Sequence, residues 1–292
     1  MRSIFLKTAL ISASLLLLPT IALARTPLSP SSFLSTYPAA VVQGDPIMIF
    51  VEGTSTPTAV KSITFDGRPL GVFSYKNKLA ALHGIDIRAK VGTSTLIATF
   101  IDGSTAQTTV YVGERKRVEE VFSIPEKLGG NTTAAATTLV STLAQENASL
   151  LGLRTGLHAF WTAPFGYPVA NPIVTDTYGY SRNTVGTVLT HKGTDFRAKE
   201  GTPVLAMNRG VVRLTQTGRN YGKTVIVDHG LGLQTFYMHL SKINVNVGEL
   251  VLPGQVVGLS GMTGYAEDAH LHTTVRINEV SIDPVKFLGL FR

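Results

Sequence analysis

The 292-residue chain has no cysteine, a single tryptophan and only 15% charged residues. Without cysteine there can be no disulfide framework and no thiolate ligand for a metal. Stability must then come from buried apolar cores, and any metal must be held by imidazole and carboxylate. A long run of one charge is also missing. The densest cluster, Glu114-Arg-Lys-Arg-Val-Glu-Glu120, mixes acid with base and reads as a solvated linker, with no nucleic-acid surface implied. Low charge, 28 glycines, 14 prolines and plentiful Thr and Val favour short strands and turns over long helices.

An apolar run of membrane-spanning length is lacking as well. Ala9 to Leu18 falls short of the ~20 residues a spanning helix needs. Arg2 and Lys7 precede it and Ala22-Leu23-Ala24 follows, the pattern of an export signal with an A-x-A cleavage site. Residues 1–24 are therefore expected to be a signal peptide, leaving no transmembrane anchor after cleavage. With no cysteine after the run, lipid attachment there is excluded. Losing Arg2 and Lys7 lowers the formal net charge from +7 to +5, a mild basic balance that serves solubility.

The length allows about two domains beyond the signal. Between Leu28 and Gly113, short apolar runs at Val41–Val51, Val60–Phe65, Leu70–Tyr75, Leu79–Ile87, Ser94–Ile101 and Ala106–Val112 alternate with turns such as Asp66-Gly67 and Asp102-Gly103. Six short strands at that spacing predict a β-sandwich-like accessory domain over 28–113. His83, alone in an apolar run, is assigned to packing. The next stretch, 114–160, reads as a charged and helical linker: Thr132 or Thr133 can cap a helix with Leu139, Leu143 and Leu150 along one stripe. Trp161 stands at the start of the last region, 161–292, and is expected to pack at the seam. That region has antiparallel β punctuation, its clearest strands being Gly210–Leu214, Thr224–Asp228, Gln234–Met238, Gln255–Leu259 and Leu271–Ile277. The fold expected is predominantly all-β.

Chemistry concentrates in this last region. His191-x-x-x-Asp195, Tyr237-Met238-His239-Leu240 and His270-Leu271-His272 hold four of its five histidines, with one aspartate among them. Imidazole and carboxylate suit Zn²⁺, and three protein ligands with one open position is the catalytic arrangement. A His-x-His on a strand puts both rings on one face, ~7 Å apart at ~3.4 Å rise per residue, so one can bind the ion while the other faces whatever the ion binds.

The order of these pieces, with Gly201-Thr-Pro-Val-Leu-Ala206, Val225-Ile-Val-Asp-His-Gly230 and Gly258-Leu-Ser-Gly-Met-Thr-Gly264 between them, resembles the lysostaphin/LytM-type zinc metallopeptidases, which cut peptide cross-links in bacterial cell walls. The resemblance spans about Thr175 to Pro284 and implies a β-sheet groove fold. It implies His191, Asp195 and His272 as zinc ligands and His239 and His270 as the two catalytic histidines. Tyr180 and Arg182, in Tyr178-Gly-Tyr-Ser-Arg182, resemble a groove-lining, substrate-binding loop. His229 matches no ligand and is left as structural. Thr273-Thr274 stand where the family often has Phe-Glu, a departure that affects the groove.

Zinc would polarise a scissile carbonyl and make hydroxide available at neutral pH. No Glu adjoins the ligand histidine, so His239 or His270 must move the proton. The expected function is an exported zinc endopeptidase acting on peptidoglycan stem peptides, with D-Ala to meso-diaminopimelate as the bond. Periplasmic location is expected, secretion being the alternative. The rival reading, a non-catalytic activator of a wall amidase, is disfavoured because such relatives typically lack zinc ligands, and this chain has the complete set.

Overall fold

The computed structural model describes residues 33–54, 56–162 and 164–291. The expected signal peptide, and Leu28 to Ser32 of the accessory domain, lie outside the described residues. No helix among the described residues is long and apolar enough to cross a membrane.

The accessory domain is built from two sheets. Leu34–Tyr37, Pro46–Val51, Lys78–Gly84 and Val72–Tyr75 lie side by side in that order as an antiparallel four-stranded sheet. Val41–Val42, Thr105–Gly113, Gly92–Phe100, Val60–Phe65 and Arg68–Pro69 form the other. Alternate side chains on the strands turn inward, so Ile47, Ile49, Val51, Ile63, Leu79, Leu96 and Val110 share one apolar core. The segment Val41–Val51 does not stay in one sheet. Gly44, at φ 83°, turns the chain between the two sheets, and an added Cβ there would lie 2.3 Å from Cε1 of Tyr178. His83 stacks on Phe65 with ring centroids 4.2 Å apart, the packing role expected of it.

The outer face of the four-stranded sheet is covered by the following region. Met48, Phe73, Ala80 and Leu82 join the core of the following region, meeting Phe165, Ile282 and Phe291. Phe73 meets Trp161 edge-on at 5.0 Å and Tyr75 meets Phe291 at 5.7 Å. Across the same seam Arg115 bonds Asp45 at 2.6 Å and Asp283 at 3.3 Å, while Lys286 bonds Asp45 at 2.8 Å. The charge run Glu114–Glu120 is therefore not a solvated linker throughout. Arg115 is largely withdrawn from solvent because two carboxylates and the Gln43 carbonyl satisfy its guanidinium. Glu119–Val121 is a strand, paired in parallel with Ser181–Asn183.

The predicted helix spans Thr133–Ser149 (α1), with Thr132 as N-cap accepting from the Ala135 N–H. Ala135, Ala136 and Leu139 are buried against Ile124, Leu189 and Tyr265, so the helix packs on the second domain. Glu146 fixes it further, accepting from the backbone N–H groups of Asn220 and Tyr221.

The second domain centres on a large antiparallel sheet. Its strands run Val174–Asp176, Thr194–Arg197, His270–Ile277, Leu233–Leu240, Gly222–Gly230, Gly210–Gly218 and Leu250–Val251 in spatial order, with Val280–Ile282 also paired to His270–Ile277. A three-stranded sheet of Pro203–Leu205, Val256–Leu259 and Lys242–Ile243 flanks it. Phe196, Leu271, Val275 and Tyr237 point to one face and are fully buried in the core. Each such side chain contributes roughly 1.5–3 kcal/mol on burial. The opposite face, by alternation, carries Asp195, His270, His272 and Thr274.

Candidate metal centre

Register brings the carboxylate and one imidazole together. Asp195 lies directly across from His272 in the ladder, and Met238 across from His272 on its other side. Opposite residues in a ladder share a face, so the Asp195 and His272 side chains meet above the sheet. His191 comes from the turn leading into Thr194–Arg197. That turn passes so close to the sheet that Gly193 has no room for a side chain: a Cβ would lie 2.4 Å from His272 Nε2 and 2.6 Å from the Thr273 carbonyl oxygen.

Three donor atoms converge. His191 Nε2 is 3.1 Å from Asp195 Oδ1 and 3.1 Å from His272 Nδ1, and the last two are 2.7 Å apart. A zinc ion ~2.0–2.2 Å from each donor needs tetrahedral neighbours roughly 3.3 Å apart, so small side-chain rotations admit the ion. The donor chemistry fits as well, and the remaining ring nitrogens fix the tautomers. His191 Nδ1 donates to the Thr177 carbonyl at 2.8 Å, leaving Nε2 as a lone pair. The Thr274 hydroxyl donates to the Lys192 carbonyl and therefore accepts from His272 Nε2 at 3.0 Å, leaving Nδ1 as the lone pair. Thr274, one of the two residues that depart from the family pattern, thus holds a ligand in place.

Electrostatics agree with this assignment. Burial works to raise the Asp195 carboxyl, but attraction and hydrogen bonds from His191 and His272 outweigh it and hold the group well below the usual carboxylate range. Burial pushes His272 down to about 4, so it is the neutral imidazole a metal needs. Among the described residues, His191, Asp195 and His272 form the group whose donor atoms lie close enough together to hold a metal ion.

His239 and His270, the two histidines that the resemblance implies as catalytic, flank these donors. The rings of His239 and His270 are 4.9 Å apart, and His239 is 5.8 Å from His272. His270 Nε2 is 3.9 Å from Asp195 Oδ1. Both rings are anchored at Nδ1, His239 on the Thr263 carbonyl and His270 on the Asp268 carbonyl. His239 reaches the site through a bulge. Strict alternation would turn it, next to Met238, toward the core; but the ladder to Gly222–Gly230 gains a residue between its Lys223–Leu240 and Val225–Tyr237 pairs, and His239 takes φ 60°. Burial, with His270 and His272 beside it, holds its ring well below the ordinary histidine range.

Other predicted residues have other places. His229 is buried between the Arg209 carbonyl and the Thr235 hydroxyl, as a structural residue should be. Tyr180 accepts the His191 N–H on its carbonyl at 2.8 Å. Arg182 reaches Asp195 Oδ2 at 2.9 Å and also Asp176. Residues that sequence reasoning did not single out close the site: Ile87 and Arg88 of the accessory domain, Phe122, and Leu143 and Asn147 of α1 line a cavity of about 350 Å³ with His191, His239 and His272.

Residues 189–284 match peptidase family M23. The match takes in His191, Asp195, His239, His270 and His272, so the region that carries the site is similar to that peptidase family. The M23 domain is similar to the peptidoglycan DD-endopeptidase ShyA of Vibrio cholerae, 40% identical over 99 residues, 34% of this chain and 23% of that protein. It is equally similar to the glycyl-glycine endopeptidase ALE-1 of Staphylococcus capitis, 39% identical over 120 residues, 38% of this chain and 33% of that protein. The chain thus spans at most a third of the length of these two relatives. A crystal structure of a candidate M23 peptidase from Pseudomonas aeruginosa extends the likeness beyond the M23 domain. It aligns over 86% of this chain and 96% of its own at TM-score 0.62 and 26% identity, so the likeness takes in part of the accessory domain as well.

Proposed function

We propose that this chain is an exported, periplasmic zinc endopeptidase that hydrolyses peptidoglycan stem-peptide cross-links, at the bond from D-Ala to meso-diaminopimelate. The observation that carries the reading is the convergence of His191 Nε2, Asp195 Oδ1 and His272 Nδ1 beside two further rings anchored by Nδ1 alone. A structural zinc site has no use for the extra pair.

His191, Asp195 and His272 would hold the zinc, which when bound would supply Lewis acidity toward a scissile carbonyl and toward water. The rest falls to the chain. Thr177 and Thr274 fix the ligand rings, and burial keeps His272 neutral. With Nδ1–H committed to a carbonyl, His239 and His270 each keep Nε2 as the nitrogen that takes a proton from water. Once protonated, the same nitrogen can donate to the carbonyl oxygen or to the leaving amine. Burial of His239 favours its neutral form, the state that accepts the proton. Tyr180, beside the His191 backbone, is the groove residue offered to the substrate peptide.

The bond is the finer part of the proposal. One relative is named for DD-endopeptidase activity and another for glycyl-glycine cleavage, at nearly equal identity. The export signal expected at residues 1–24 and the likeness along most of the chain to the Pseudomonas aeruginosa structure support the direct cross-link. Digestion of purified cross-linked sacculi and, separately, of pentaglycine, with products identified by mass, tests it. Monomeric muropeptides released from dimers are expected. Cleavage of pentaglycine alone would overturn the bond assignment.

A further inference from the structure

The two oxygens of Asp195 have different partners. Oδ1 lies in the donor cluster, 2.7 Å from His272 Nδ1 and 3.1 Å from His191 Nε2, whereas Oδ2 accepts from Arg182 Nη2 at 2.9 Å. A carboxylate without that second bond could rotate and offer both oxygens, or swing out of the cluster. From the sequence, Arg182 is assigned to the groove wall as a substrate contact. Although it lines the cavity, its charge is already committed, since the same Nη2 also binds Asp176, whose strand pairs Asp176 with Asp195.

Arg182 is itself held by the linker. Its guanidinium carbon sits 4.3 Å from the centre of the Phe122 ring, a cation–π contact on a side chain only 14% exposed. Behind it, Glu119–Val121 pairs in parallel with Ser181–Asn183, placing Glu120 opposite Arg182. The ladder continues at both ends: Ser181 N–H donates to the Val118 carbonyl and Phe122 N–H to the Asn183 carbonyl. The Thr184 hydroxyl donates to the Phe122 carbonyl at 2.6 Å, and Phe122 packs on Tyr265 at 5.3 Å. Both Arg182 and Phe122 lie outside residues 189–284, the part that matches the family.

We infer that Arg182 is a positioning residue that fixes Asp195 to present one oxygen to the metal, and that the linker strand Glu119–Val121 with Phe122 holds Arg182 in that position. The inference rests on the zinc reading of the site. The metal centre then depends on a linker strand and on Phe122, which lie outside the second domain.

The test is zinc competition against a chromophoric chelator with the full chain, together with the absorption spectrum of the cobalt-substituted protein. Arg182→Ala is expected to weaken zinc by about 10–100-fold, the usual effect of removing a group that orients a ligand, and to alter the cobalt bands as Asp195 changes its mode of binding. Arg182→Lys, which keeps the charge without the planar fork, should recover part of the affinity. Phe122→Ala removes no polar group and should fall between wild type and Arg182→Ala, which keeps the test informative if Arg182→Ala fails to fold. Zinc affinity and a cobalt spectrum equal to wild type in Arg182→Ala would overturn the positioning role. Wild-type affinity in Phe122→Ala would overturn the linker's part. A wild-type chain that takes up no zinc would overturn the metal reading itself, a distinguishable result.

Discussion

Gly193→Ala is a one-methyl test of how tightly the ligands are packed. The new Cβ would lie 2.4 Å from His272 Nε2, 2.7 Å from its Cε1 and 2.6 Å from the Thr273 carbonyl oxygen. His272 cannot simply rotate away, because Thr274 holds Nε2 and Nδ1 faces Asp195. Nor can Thr273 withdraw, since it is paired across the ladder to Thr194 on one side and Tyr237 on the other. Relief therefore demands a displacement of about 1 Å in the sheet or in the ring. Overpacking of this kind costs about 1–3 kcal/mol, and a 1 Å misplacement of reacting groups costs on the order of 10²-fold in rate. Thermal unfolding of the metal-free protein, zinc competition and muropeptide digestion measure the three effects. Gly289→Ala, in helix Pro284–Gly289 with open space around the new methyl, is the control and should change neither zinc affinity nor rate. If Gly193→Ala melts, binds zinc and turns over like wild type, the close approach of the His191 turn to His272 is wrong.

Removing the His239 ring separates binding from proton transfer: His239→Ala should retain its zinc and lose roughly 10²–10⁴ in rate, whereas undiminished turnover would remove it from the catalytic pair. Acid stability follows from His229, whose burial pushes its pKa down to about 4 from 6.5. The fold binds the neutral ring, so this contribution is intact above pH 6.5 and is lost as pH falls toward 4, about 3 kcal/mol in all at 1.36 kcal/mol per pH unit. Denaturant titrations across that range should show wild type losing about 3 kcal/mol more than His229→Gln, the residual loss coming from the other buried histidines; parallel curves would contradict it. Deleting residues 25–113 strips cover from Phe165, Ile282 and Phe291 and removes Asp45, the carboxylate partner of Arg115 and Lys286, so the truncated chain should unfold at lower temperature and bind an apolar dye. If it is as stable as the full chain and more active on soluble peptides, the accessory domain is a removable lid.

The convergence of His191, Asp195 and His272 was legible in the sequence because its pieces are short and ordered: His191 and Asp195 flank one tight turn, and His270 and His272 share a strand face by simple alternation. Helix α1 was legible from its cap and stripe. His239 was placed only by resemblance, since period-2 reasoning puts its ring on the core side and the bulge that redirects it has no residue signature of its own. Arg115 was read from local sequence as part of a solvated charge run, and Arg182 by resemblance as a groove contact. Their carboxylate partners, Asp45 and Asp283 for the first and Asp176 and Asp195 for the second, are supplied partly by distant segments that only the tertiary fold brings near. The run Val41–Val51 illustrates the same limit, as apolar patterning marks both strands but does not say that Gly44 sends them to different sheets.

The most direct test of the account measures metal content and cleavage on the same samples of wild type, His191→Ala and His272→Ala, using a purified cross-linked muropeptide dimer. Wild type should hold one zinc per chain, lose cleavage to a chelator and regain it with added zinc, while both variants lack metal and activity. Cleavage of the dimer at the wild-type rate by metal-free protein or by His272→Ala would contradict it.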